Sequence, residues 1–406
     1  MKRKLLPLSL MALVVVLAAC KPEPIDPVPD RLFDEPMILP AGLNGHGITV
    51  ADLDEDGHLD LIVISSGQNA AMVLMGLGGR DFTAAIPLAT GPQPKHSVVG
   101  DFNGDGLLDI AVANQDGHDS PEIDDISVFY QQLGGTFAPA VNFAACQRPH
   151  QVGAGDLDGD GILDLAVACW GEDNFAILPG TAEGFADPIF IDSGGGAPHA
   201  VVVADFDQDG LADVALANLG SSSITIHISL GEFDFAEADP YWGGSSHHGL
   251  EVYDLNGDGY PDLVSANKNS HDVSVLRNLG ALNPGAFAPA VVFEIGADRY
   301  PVDVAIGDVD GDGRPDIVTA NSWHNHPDPP GDLVPTDVSV IYGRPGGSFT
   351  APEFFEVERT PFAVVVADLD DDGLLDVATA NWHTNDVAIL FNAGGEPEPG
   401  AIRTTR

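Results

Sequence analysis

A nine-residue pattern, D-x-[DN]-x-D-G-x-x-D, recurs seven times along this chain, starting at Asp52, Asp101, Asp156, Asp205, Asp254, Asp308 and Asp368. A period of about 50 residues constrains the fold more than length does, because each copy must be one supersecondary unit repeated. Every copy sets oxygen donors at positions 1, 3, 5 and 9, with glycine at position 6, where the chain must turn sharply to wrap a cation. Hard oxygen donors in a flexible loop favour calcium, up to seven ions here.

The expected calcium ligands run through the loops in order. The first has Asp52, Asp54, Asp56 and Asp60, and the second Asp101, Asn103, Asp105 and Asp109. The third has Asp156, Asp158, Asp160 and Asp164, and the fourth Asp205, Asp207, Asp209 and Asp213. Asp254, Asn256, Asp258 and Asp262 form the fifth, Asp308, Asp310, Asp312 and Asp316 the sixth, and Asp368, Asp370, Asp372 and Asp376 the seventh. Position 7 varies freely, as expected if only its carbonyl contacts the ion. An EF-hand would need a bidentate Glu at position 12 and flanking helices. Position 12 is instead Val63, Val112, Val167, Leu216, Ser265, Thr319 or Thr379, and the flanks are β-patterned, as in Val201-Val202-Val203 and Val214-Ala215-Leu216. The loops therefore sit inside β-hairpins. Metal-free Asp-Gly turns are the alternative, but turn chemistry alone does not demand Asp at positions 1, 3 and 9.

The formal charge of −46 argues against nucleic acid as a partner. Of the 62 acidic residues, 26 sit at the ligand positions of these loops, so the acidity is partly a calcium signature. Clustering that much like charge without cations would be destabilising.

Residues 1–20 open with Lys2-Arg3-Lys4, continue through an apolar run and end Leu17-Ala18-Ala19-Cys20, which reads as an export signal too short to span a membrane. The ending resembles a bacterial lipobox, which implies lipidation of Cys20 and an anchor in the outer membrane or at the cell surface; an ordinary signal peptide is the alternative. Residues 21–31 carry a Pro-rich tether.

Residues 32–395 hold the repeats, and 396–406 read as a disordered tail. In the third unit the expected strands are His150 to Gly155, Leu165 to Cys169, Asn174 to Leu178 and Phe185 to Ile191. Four-stranded units repeated seven times predict an all-β, seven-bladed β-propeller. A Phe followed closely by Pro marks each fourth strand. The first such Phe, Phe33, precedes the first loop, so Phe33 to Leu39 must supply the outer strand of the last blade and close the ring. Small residues before six of the seven loops suit an innermost strand crowded near an axis.

The unit running from Pro198 to Asn218 and on to a G-x-F-x-x-P ending resembles the FG-GAP and VCBS repeats of bacterial surface proteins, related to the integrin α-subunit propeller. The resemblance spans nearly all of the chain after the tether. It implies a calcium-loaded propeller used mainly for binding. Departures are Asn103 and Asn256 among the ligands, and Ser65 and Cys169 where an Ala-Asn ending is expected.

Propeller connectivity puts these loops on one face and the entries to the first strands on the other. Six residues before the loop start stand His46, His150, His199 and His248, with His96 one residue nearer its loop, and Val302 and Phe362 in the two remaining blades considered. Second-strand exits add Trp170, Lys268, Trp323, His324, Trp382 and His383. Such a ring could simply pack at the channel mouth. It could instead hold a ligand, with Trp stacking a sugar, or a transition metal. Cys146 and Cys169 fall at adjacent points of an antiparallel pair, and an exported protein permits a disulfide there; free thiols, or copper or zinc beside His150, are the alternatives. The sequence thus supports a monomeric, non-enzymatic surface lipoprotein binding a protein or glycan on the histidine face. An enzyme active on polysaccharide, or dependent on a metal at that face, is the alternative.

Overall fold

The computed structural model describes residues 31–115, 124–322 and 336–395, with the backbone of Ile402–Arg403. Cys20, Trp323 and His324 lie outside the described residues. The rest forms seven four-stranded antiparallel sheets arranged as propeller blades. Blade three shows the plan: Pro149–Gly155 is innermost, followed outward by Asp164–Cys169, Asn174–Leu178 and Ile189–Asp192. The sheet of blade six gains Ile402–Arg403, parallel to Glu353–Glu356 and within the segment read as tail.

Burial falls outward along each blade. Every second strand is buried at all six positions, as in Asp213–Asn218, whereas outer strands such as Val291–Glu294 are mostly exposed. Short β-branched and alanine-rich strands suit this interior, because each is packed on both faces by the neighbouring blades. Motif position 2 drives that packing. It is Leu53, Phe102, Leu157, Phe206, Leu255, Val309 or Leu369, all buried. Leu53 packs with Ile110 of the next blade, and Phe102 with Leu165. Burying such a side chain contributes about 1.5–3 kcal/mol.

Crowding toward the axis explains the small residue before six of the seven loops; Tyr253, before the fifth, is exposed. A Cβ on Gly155 would lie 2.5 Å from Val203 Cγ1 of the next blade, and one on Gly307 would lie 2.7 Å from Val366 Cγ1.

The fourth-strand signature divides into two parts. Each Phe pairs just beyond the third strand, as Phe185 does with Gly180 and Phe137 with Gln131, and the outer strand starts four residues later. In blade three Pro188, which has no N–H for a ladder, separates the two. The ring closes through the N-terminal strand: Met37–Pro40 pairs with the third strand of blade seven, Ile389 to Asp386, and Phe33 bridges to Asn392.

The Ala-Asn ending of the second strand has a clear role. Asn267 Nδ2 donates to Asp272 Oδ1 and Ser274 Oγ at 2.7 Å each, and Asn321 does likewise to Asp337 and Ser339. In blade one Ser65 Oγ donates to the Leu43 carbonyl. In blade three Cys169 is joined to Cys146, with Cα atoms 5.9 Å apart. The same strand end is thus held by different chemistry in different blades.

Candidate functional site

Two opposite faces carry the polar chemistry. On the first, the nine-residue loops join the innermost strand to the second, and their aspartates are organised mainly by backbone amides. In the fourth loop Gly210 N–H donates to Asp205 Oδ2 (3.0 Å) and Leu211 N–H to Asp209 Oδ1 (2.9 Å). Asp213, at position 9, is buried and accepts two amides at 2.7 Å, Phe206 N–H on Oδ2 and Ser229 N–H on Oδ1. Ser229 follows the third strand, so position 9 fastens both hairpins of that face together. The arrangement recurs at Asp60, Asp109, Asp164, Asp262, Asp316 and Asp376.

Positions 1, 3 and 9 bring one carboxylate oxygen each within 4.8 Å of one another in five loops, for example Asp205, Asp207 and Asp213. The other two loops have Asn103 and Asn256 at position 3 and so lack the third acid. Position 5 stands outside these triads. Asp56, Asp160 and their equivalents spend an oxygen on the amide of position 7. Burial pushes Asp213, Asp316 and Asp376 up to about 7 and Asp60, Asp109 and Asp164 up to about 6. Three converging hard oxygens whose charged form is costly are a donor set that a hard divalent cation fits, because the cation restores the charged form. Arginines reach three of the loops: Arg277 Nη1 lies 2.6 Å from Asp262 Oδ2 in the fifth, Arg314 Nη1 2.7 Å from Asp312 Oδ2 in the sixth, and Arg80 Nε 2.8 Å from Asp370 Oδ2 in the seventh.

The second face is built by a repeated irregularity. In all seven innermost strands the register with the second strand slips by one residue, and the residue at the slip is the one six before the loop: His46, Lys95, His150, His199, His248, Val302 and Phe362. A β-bulge leaves its extra residue unpaired and re-aims the side chain. Here it turns one side chain per blade into the mouth of the central channel, where all seven line a common recess. The residue two before the bulge is left-handed without being glycine at Asn44, Gln93, Arg148, Ala197, Ser246 and Thr360. Such backbone costs on the order of 1 kcal/mol or more each and collects at functional sites.

The imidazoles stack around the opening. Ring centroids are 3.6 Å apart for His150 and His199, 4.0 Å for His199 and His248, and 5.2 Å for His46 and His150, while Phe362 closes on His46 at 4.4 Å. Trp382 lies 5.7 Å from His46, and Trp170 lies 5.9 Å from both His150 and His199. Because a carbonyl only accepts, Nδ1 of His150 and of His199 carries the proton toward the carbonyls of His199 and His248 (3.1 and 2.9 Å), leaving each Nε2 as an acceptor. Burial lowers His199 to about 3 and His150 well below its ordinary value, so both rings are neutral near pH 7. Among the described residues, no three ring nitrogens here come within 4.8 Å of one another; only the loop aspartates make such groups.

Together these residues line a cavity of about 630 Å³ with Lys95, Lys268, Trp170, Trp382 and Tyr300. Not every expected site residue belongs to it. His96 is half-buried and lines the smaller recess, with its buried Nδ1 unsatisfied, and His383 bonds Thr360 Oγ1 at 2.7 Å away from the cavity lining. Lys95, and not the adjacent His96, occupies the bulge position of blade two. Strict counting from Asp101 puts Lys95 in the ring. The bulge itself left no mark in the residue types.

The comparisons bear on the fold. No curated protein matches. Among solved structures, BBS1N in complex with ARL6DN, in crystals soaked with lead and with mercury, is similar, with TM-scores of 0.59 and 0.58 at 10% and 11% identity. The alignments cover 89% and 87% of this chain and 96% of that chain in each case, and at such identity the likeness is one of fold alone. The family described as FG-GAP-like repeat matches residues 52–112, 101–167, 205–265 and 254–319, more than half of the chain, each span running from one aspartate loop across the next. The chain belongs to the FG-GAP-like repeat family.

Proposed function

We propose that this protein is a calcium-stabilised propeller, held at a bacterial envelope by lipid on Cys20, that binds a protein or glycan through the face opposite its aspartate loops. The observation that carries this reading is the convergence of seven bulge residues, one from each blade, on one recess, six of them also lining the aromatic-walled cavity. Packing alone needs no such repeated distortion. The aspartate loops support the calcium part, through acids that meet in threes and are pushed toward protonation without a cation. If each site has the affinity of extracellular calcium modules, saturation at 100 times the dissociation constant contributes about 2.7 kcal/mol per ion.

The test is a glycan array and a ligand capture with the full chain in calcium, followed by Trp382→Ala. Loss of about 1–3 kcal/mol of binding, as for a buried aromatic anchor, with an unchanged calcium-dependent melt supports the reading. A ligand that maps to the aspartate loops, with Trp382→Ala silent, overturns it.

A further inference from the structure

Charge is distributed against the trend of the chain at this cavity. Acidic residues outnumber Lys and Arg by 62 to 16, yet among the described residues no Asp or Glu lines the cavity. Lys95 and Lys268 are the only lysines among the described residues, and both line it. They come from different blades, one at a bulge and one just past a second strand. Lys95 is 8% exposed and makes no hydrogen bond or ion pair among the described residues. Burying an ammonium without a counter-charge is costly, and among the described residues no carboxylate forms an ion pair with Lys95. Burial lowers both lysines to about 8, so they remain cationic at neutral pH. Arg148, whose guanidinium carbon stacks 3.9 Å from the Trp170 ring centroid, adds to the positive field at Lys95.

The remaining groups describe what accompanies the charge. The Nε2 atoms of His150 and His199 accept hydrogen bonds, and Trp170 and Trp382 offer flat apolar walls. Deeper in the channel Asp303 accepts the amide of Val364, and burial pushes it up to about 7 and Glu251 beyond it up to about 8, so neither is a full counter-charge at neutral pH. Resting on the proposed reading of this face as a ligand site, we infer that the cavity takes the oxyanion of an acidic saccharide, a carboxylate or sulfate ester, with Lys95 and Lys268 as counter-charges and His150 and His199 accepting from ring hydroxyls.

The experiment is calorimetry on the calcium-loaded full chain with four probes: trigalacturonate, its neutral methyl ester, a sulfated disaccharide and inorganic sulfate. The expected result is binding of an acidic saccharide that weakens roughly tenfold or more on esterification and on Lys95→Met, the change expected for a lost charge-assisted hydrogen bond. Lys268→Met should act in the same direction, and neither variant should shift the calcium-dependent melt. Equal affinity for acid and ester, or an unchanged affinity in both lysine variants, overturns the inference. If Trp382→Ala still weakens binding in that case, the broader reading of the face stands. Binding of inorganic sulfate alone, or of no probe, by protein with a normal melt overturns it as well.

Discussion

His150 stacks on His199 with ring centroids 3.6 Å apart, and its Nδ1 reaches the backbone carbonyl of that same residue at 3.1 Å. The contact ties blade three to blade four, and His199 repeats it toward His248. Both imidazoles are held neutral by burial, with Lys95 and Lys268 adding to the cost of protonating His199.

A pH dependence follows. His199 has a folded value of about 3, below the ordinary 6.5 of an unfolded chain. Below that ordinary value the unfolded state binds the proton and the folded state does not, so stability is fully present above it and is lost as the pH falls toward about 3. Denaturant midpoints measured in calcium between neutral and mildly acidic pH should fall, and His199→Asn should flatten the slope. An equal slope in the variant would show that the ring does not titrate with unfolding.

Position 9 and position 3 of a loop should fail differently. Asp213→Ala strands the buried amides of Phe206 and Ser229, at about 1–3 kcal/mol for each unsatisfied group. It should lower the melting temperature both in calcium and in excess chelator. Asp207→Ala strands no such pair and should remove only the calcium-dependent part. Thermal melts of both variants in both conditions decide it, and a loss confined to calcium for Asp213→Ala would refute the structural role.

Most of the fold was legible because the repeat writes it seven times. Blade number, the four-strand plan and ring closure by the chain start all follow from where the Asp loops and the Phe residues fall. Finer features were hidden for physical reasons. The bulge is a backbone event that accepts His, Lys, Val or Phe alike, so composition does not announce it. Motif position 2 stands as an open position in the pattern, and its inward role depends on the neighbouring blade that the Leu, Phe or Val there packs against. Arg277 reaches Asp262 from 15 residues away in sequence, across a strand pairing that spacing alone does not fix.

Calcium should occupy two classes of site. Five loops offer three converging carboxylates, while the second and fifth have an amide at position 3. Ligand charge count tunes affinity in such loops, and Arg277 places a competing positive charge on Asp262 in the fifth. Calorimetric titration of chelator-stripped protein should resolve a tighter set from a weaker one, with Asn103→Asp moving the second loop into the tighter set. Seven equivalent sites would contradict this.

Deleting Phe33 to Leu39 should open the ring. Leu32 and Phe33 are buried against blades six and seven, and Met37–Pro40 covers the strand Asp386–Leu390. Removing the segment exposes that strand as an unpaired edge, which invites pairing with a second chain, and forfeits about 1.5–3 kcal/mol for the Phe33 side chain alone. The polar contacts at the seam do not compensate. Arg80 bridges Asp34 and Asp370 at 2.8 Å each, and His58 meets Asp371 at 2.7 Å; Asp370 is buried, but Arg80, Asp34, His58 and Asp371 are each open to solvent, and pairs with a solvent-exposed partner contribute about 0–1 kcal/mol. Arg80→Ala should therefore leave a monomer with nearly unchanged stability, whereas the deletion should yield strand-exchanged dimers or aggregates on size-exclusion chromatography with light scattering. A monomeric deletion product with the parent's melting temperature would show that blade seven does not depend on the chain start for its closure.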